Sequence, residues 1–174
     1  MKARRVWRKL HVGVDDDGFI VAATLTKSSE DDPCTVPKLL EQVDSPIKRF
    51  TANGAYDTRP VYEVLGEVGT ADIKIVIPPR RGAVASGGAE GTWAQRNATL
   101  ETIHKVGRQG WQRDSGYRRQ GAVENLFFRY KRTLGNSLRA CGYESQKREA
   151  MIGCNVLNRM AKLGKPECHA IVGE

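Results

Sequence analysis

Two runs of alternating side chains around one acidic turn most constrain how this chain can fold. Val6 to Val14 (VWRKLHVGV) sets Val6, Arg8, Leu10, Val12 and Val14 against Trp7, Lys9, His11 and Gly13, the period of a strand with one apolar face. Asp15-Asp16-Asp17-Gly18 ends in an Asp-Gly turn signal, and Phe19 to Thr26 (FIVAATLT) reads as the returning strand of a hairpin. Three adjacent aspartates suggest a metal site. Between two alternating runs they read better as turn residues, because neighbouring side chains point different ways and nothing fixes them around one ion.

The pattern then changes to helix and strand in turn. Ser29 to Asp32 can cap a helix with Pro33 near its first turn and Val36, Leu39, Leu40 and Val43 on its apolar face. Ile47 to Thr51 is a third strand, followed by a loop from Ala52 to Thr58. Asp57 or Thr58 caps the next helix, with Pro60 in its first turn and Val61, Val64, Leu65 and Val68 facing inward. Ile73 to Ile77 (IKIVI) is a fourth strand, stopped by Pro78-Pro79.

Arg80 to Gly91 is a glycine-rich loop without the Lys-Ser/Thr pair that a phosphate-cradling loop requires. Beyond Thr92 the character is helical. One helix is expected from about Ala94 to Val106, one around Glu124, and one from Glu144 to Leu163. In the last, Met151, Ile152, Val156, Leu157 and Met160 are the expected core face, with Cys154 also buried. At 174 residues the chain is one domain by length. It divides into a sheet-forming part (1–79), a glycine-rich loop (80–93) and a helical part (94–165), an α/β domain with both hairpin and parallel pairings.

Charge narrows the function. The formal net charge of +8 suggests a polyanionic partner, of which nucleic acid is the commonest. Basic residues concentrate between His104 and Lys165, and a second cluster (Lys2, Arg4, Arg5, Arg8, Lys9) opens the chain. Cys34, Cys141, Cys154 and Cys168, with His11, His104 and His169, lack the spacing of a zinc site and read as reduced thiols and scattered imidazoles. No apolar run reaches membrane-span length and the start has no signal-peptide core, so the expectation is a cytoplasmic protein without a membrane partner.

Ser115 to Lys131 (SGYRRQGAVENLFFRYK) carries the candidate chemistry. Wound as a helix from about Tyr117, it puts Val123, Phe127, Tyr130 and Leu134 on an apolar stripe. Tyr117, Gln120, Glu124, Phe128 and Lys131 fall on another. Glu124 is then one acid in a field of Arg113, Arg118, Arg119, Arg129, Lys131 and Arg132, which suits a metal-dependent phosphodiester enzyme. The plainer reading is a solvated helix with an ordinary glutamate.

RRVWRKLHVGVD, ANGAYDTRPVYE, the PPRR after a strand, SGYRRQGAVENLFFRYKRTLG and NVLNRMAKLGKPE occur in consistent order. Together they resemble the C-terminal portion of bacterial insertion-sequence transposases with an RNase H-like DDE catalytic domain. The resemblance implies an α/β fold, a mixed sheet flanked by helices with a helical C-terminal half. It implies two aspartates and a glutamate holding magnesium or manganese for in-line attack on DNA phosphodiesters. Tyr117, Glu124 and Lys131 match its glutamate signature, with Gln120 at the arginine position and Arg118 and Arg119 beside it. Glu124 would be the third metal ligand. Tyr117, Arg118, Arg119, Lys131 and Arg132 would contact DNA.

Asn53 stands where the second aspartate is expected, a neutral and weaker ligand, and Asp57 reads as structural rather than a substitute. The strand bearing the first aspartate, central in that fold, would precede Met1. The expectation is therefore a truncated transposase with impaired catalysis, binding DNA and prone to self-association or to pairing with full-length transposase. The alternative is a non-catalytic DNA-binding or inhibitory remnant.

Overall fold

A computed structural model describes residues 6–87 and 90–164. Lys2, Arg4, Arg5, Cys168 and His169 lie outside these residues. Strands β1 (Arg8–Val14) and β2 (Ile20–Lys27) form the expected antiparallel hairpin. Its turn is held as a turn should be: the Asp15 carboxylate accepts from the Asp17 and Phe19 amides at 3.1 and 2.8 Å, and Gly18 adopts φ 86°. A 3₁₀ turn (Asp32–Thr35) leads into the short helix α1 (Val36–Leu40). Strand β3 (Ile47–Thr51), a 3₁₀ turn (Gly54–Tyr56), helix α2 (Arg59–Val68) and strand β4 (Gly69–Val76) follow, and β3 and β4 pair in parallel.

The two ladders do not join. Among the described residues there is one antiparallel and one parallel two-stranded sheet, so each strand has a partner on one side only. Each sheet has its own core. Val36, Leu40, Val61, Tyr62, Leu65, Ile73, Ile75 and Ile77 pack β3 and β4 against α1 and α2. Ile20, Leu126, Cys154 and Leu157 seal the apolar face of the hairpin, with Leu10, Val12 and Val14 against them. Burial pushes the Cys154 thiol up to about 11, so it behaves as a small apolar group.

Helices α4 (Gly121–Leu134) and α5 (Tyr143–Lys162) cover the hairpin and supply its core residues, whereas α3 (Gly91–Ser115) packs on α2 and β4. α3 is longer than expected and broken at Gly107, whose φ of 75° and ψ of 163° are non-helical. The expected faces of three helices need correction. In α2 Tyr62 is buried and Val68 exposed. In α4 the fully buried residue is Leu126, while Val123, Phe127, Tyr130 and Leu134 are half-buried. In α5 the buried positions are Ala150, Gly153, Cys154 and Leu157, whereas Ile152, Val156 and Met160 are exposed. The reason is close approach: a Cβ on Gly153 would lie 2.6 Å from the Tyr130 hydroxyl, so only small residues let α5 meet α4 here.

The other hairpin face carries a buried polar pair, His11 Nε2 and Thr26 Oγ1, 2.8 Å apart. Burial, the largest cause, holds the His11 imidazole below the ordinary value of 6.5, with Asp32 opposing this, Lys9 assisting and Glu30 opposing. The unfolded chain therefore takes up this proton first as pH falls. Stability should be full above pH 6.5 and decline below it, by at most about 1.4 kcal/mol per pH unit. Thermal melts of wild type and His11→Gln from pH about 7 to about 5 check this, since the variant should show the shallower decline.

Candidate functional site

The residues singled out in the sequence sit on two loops and one helix. Asn53 is exposed at the end of β3, where it caps the Gly54–Tyr56 turn: its side-chain oxygen accepts from the Ala55 amide at 2.9 Å. Asp57 is buried behind it but is not the helix cap, since Thr58 holds that position without a side-chain cap bond. Asp57 Oδ1 accepts from Arg96 Nε at 2.6 Å and Oδ2 from Arg96 Nη2 at 3.2 Å, with the Arg80 amide on Oδ2 at 3.0 Å. Arg96 also lies over the Trp93 ring, 4.6 Å from its centre, and donates to the Val84 carbonyl at 3.2 Å.

Arg80, the first arginine of PPRR, closes the same loop from outside. Its guanidinium donates to the Gly54 and Ala55 carbonyls at 3.4 and 3.2 Å. ANGAYDTRPVYE and PPRR are thus one structural unit. The sequence reading found Asp57 structural but missed Arg96, which nothing in its local pattern marks as the partner.

The Glu124 segment is positioned from β3 and α3. α3 ends at Gly116 (φ 81°), where Arg49 Nη1 donates to the Ser115 carbonyl at 3.3 Å. Glycine suits Gly116 for its left-handed backbone; a Cβ there would also fall 2.9 Å from that nitrogen, a contact the flexible Arg49 side chain would relieve by moving. Tyr117 to Gln120 form a 3₁₀ turn rather than the first turn of α4. Tyr117 packs on buried Trp111, ring centres 5.8 Å apart. Burial, and next the nearby Glu124 carboxylate, raise the Tyr117 phenol above its ordinary value while Arg108 opposes.

Glu124 is exposed in the first turn of α4 and has no hydrogen bond or ion pair among the described residues. Arg119 pairs with Asp16 of the hairpin turn, while Arg118, Lys131 and Arg132 are exposed and form no ion pair among the described residues. Gln120 contributes a buried side-chain oxygen without a partner.

These donors do not fit a site for two divalent ions. Asn53 offers a neutral oxygen already held by a backbone amide, Asp57 has both oxygens engaged, and Glu124 is the one of the three residues with an unengaged carboxylate. No group of three or more His, Cys, Asp or Glu side chains able to hold a metal occurs among the described residues. Nor is any helix among them long and apolar enough to cross a membrane.

No solved structure matches the chain. The family model described as transposase DDE domain matches residues 2–159, nearly the whole chain and all the motifs above up to Arg159. The arrangement of the hairpin, the Asn53 loop and the Glu124 helix is thus found in a chain that belongs to the transposases of the DDE type.

Proposed function

We propose that this polypeptide serves DNA transposition as a DNA-binding portion of a DDE catalytic domain and does not by itself complete the cutting site. One observation carries this reading: Asn53, at the second acidic position by resemblance, is occupied as a turn cap, and the neighbouring Asp57 is held by Arg96. Glu124 supplies the third acidic position, and Tyr117, Arg118, Arg119, Lys131 and Arg132 form its DNA-contacting surroundings. Family members generally use a divalent ion, magnesium or manganese. Here Glu124 is its best-placed donor, and a lone exposed carboxylate holds such an ion weakly.

A second reading is favoured by the divided sheet. The resemblance puts the strand bearing the first aspartate between the hairpin and the parallel pair, and β1 and β3 each keep an unpaired edge. Open edges accept foreign strands, so the chain could act as an inhibitory partner of full-length transposase or of its own copies.

The decisive test is Asn53→Asp in a supercoiled-plasmid nicking assay with magnesium or manganese. Aspartate caps the turn as well as asparagine does, so the variant should fold as wild type. It should remain without metal-dependent nicking, because Asp57 stays engaged by Arg96 and the described residues hold no cluster of three donors around Glu124. Nicking above background by this variant would overturn the first reading. Inhibition of full-length transposase at equal DNA binding would favour the second.

A further inference from the structure

We propose that Phe128 and Asn125 read base edges in the major groove and give the Glu124 helix a preference for A·T pairs; this rests on the DNA-binding reading above. The buried residue of α4 is Leu126. Phe128, two positions on, stands about 200° round the helix at roughly 100° per residue, on the side away from the core. It belongs to neither apolar core and is 62% exposed. Its helical neighbours three and four residues away in each direction are Glu124, Asn125, Lys131 and Arg132, and all four are exposed. An isolated exposed apolar residue needs no explanation. A bare ring at the centre of the face turned toward DNA does.

Lys131 and Arg132 flank the ring, about 60° to one side and about 40° to the other. Glu124 shares the Lys131 side and Asn125 the Arg132 side. This is the arrangement of a helix laid in a groove, with cations toward the two phosphate rows and uncharged groups toward the bases. The major groove of B-form DNA admits an α-helix. There an asparagine amide pairs with adenine N6 and N7, and an apolar side chain meets the thymine methyl. Among the described residues the Asn125 amide makes no hydrogen bond, and no ring or cation lies over Phe128. The rings of Trp93 and Tyr143, in contrast, carry cations over their faces.

Spacing sets what the two side chains meet. Asn125 and Phe128 are about 4.5 Å apart along the axis at roughly 1.5 Å per residue, close to the step of about 3.4 Å between successive nucleotides of one strand. They therefore meet neighbouring base pairs. Glu124 lies one turn from Phe128, so the pair that is read fixes which phosphodiester comes to the carboxylate.

Fluorescence anisotropy with labelled duplexes of about 20 base pairs tests this. Wild type should bind an alternating A·T duplex at least about fivefold more tightly than an alternating G·C duplex. Two base changes confined to the major groove then assign the contacts. Uracil for thymine removes the methyl group and should weaken wild type about fourfold, the worth of one buried methyl, but leave Phe128→Ala unaffected. Deaza-adenine lacking the N7 acceptor should weaken wild type at least about fivefold and leave Asn125→Ala unaffected. Both positions are exposed and alanine favours a helix, so the variants should melt as wild type does. Neither should change the salt slope, since neither removes a charge. Equal binding of the two duplexes by wild type, or base changes felt equally by wild type and variants, would overturn this proposal alone. Failure of wild type to bind any duplex would overturn it together with the DNA-binding reading. If Phe128→Ala keeps its response to uracil and abolishes a wild-type dimer in sedimentation, the ring is a protein contact and the proposal fails.

Discussion

Replacing Arg96 by alanine is expected to destabilise the fold by about 3–5 kcal/mol, the cost typical of leaving one member of a buried ion pair alone. The side chains of Asp57 and Arg96 are 1% and 8% exposed, so no solvent takes over the lost contacts. After the change Asp57 would retain the Arg80 amide as its one hydrogen bond of the three. The stacked guanidinium over Trp93 would also be lost, and with it a neighbour of the Tyr62–Trp93 edge contact, whose ring centres are 5.2 Å apart. Against a typical domain stability of 5–15 kcal/mol, about 3–5 is enough to bring a chain with two separate small cores near unfolding. Chemical denaturation measures it. Arg113→Ala removes an ion pair whose partners are 70% and 61% exposed and should stay within about 0.5 kcal/mol of wild type. The double variant Asp57→Asn/Arg96→Met should recover part of the loss, since no buried charge is then left unpaired. A loss for Arg96→Ala no larger than that for Arg113→Ala would show that the pair does not hold the loop.

Much of this architecture was legible because the hairpin, β3 and β4 announce themselves by period and turn chemistry. The expected Ile47–Thr51 strand is β3 residue for residue, and the aspartate-rich turn closes on its own backbone. The helix faces were less legible for one physical reason. Sequence patterning rewards large apolar residues, and the inner face of α5 is built from Ala150, Gly153 and Cys154, where closeness matters more than bulk. The Asp57–Arg96 pair was invisible on other grounds. It joins positions 39 residues apart, and a lone arginine in a helix has no local mark of burial. At the candidate site the sequence placed Glu124 and its basic neighbours on one surface. It could not tell that Arg119 is already paired with Asp16, or that both oxygens of Asp57 are taken by Arg96 and the Arg80 amide.

DNA affinity should fall steeply with salt, and the slope should be set by a few named side chains. Arg118, Lys131 and Arg132 are exposed, lie on the Glu124 segment and carry no ion pair among the described residues. Free cations of this kind release counterions from phosphates, at roughly 0.9 per contact on duplex DNA. If about six phosphates are met in all, affinity drops on the order of a thousandfold between about 50 and about 200 mM salt. Arg118→Glu/Lys131→Glu/Arg132→Glu should reduce the slope by close to 3 and weaken binding alike for unrelated duplex sequences, because phosphate contacts carry no sequence information. Glu124→Gln, in contrast, should leave the slope unchanged and raise affinity slightly by removing one repelling charge. Anisotropy titrations with two unrelated duplexes decide the matter. A slope below about 1 in wild type, or one untouched by the triple reversal, would remove the Glu124 helix from the DNA interface. The exposed carboxylate would then be what the plainer reading of the sequence takes it for, one acid on a solvated helix.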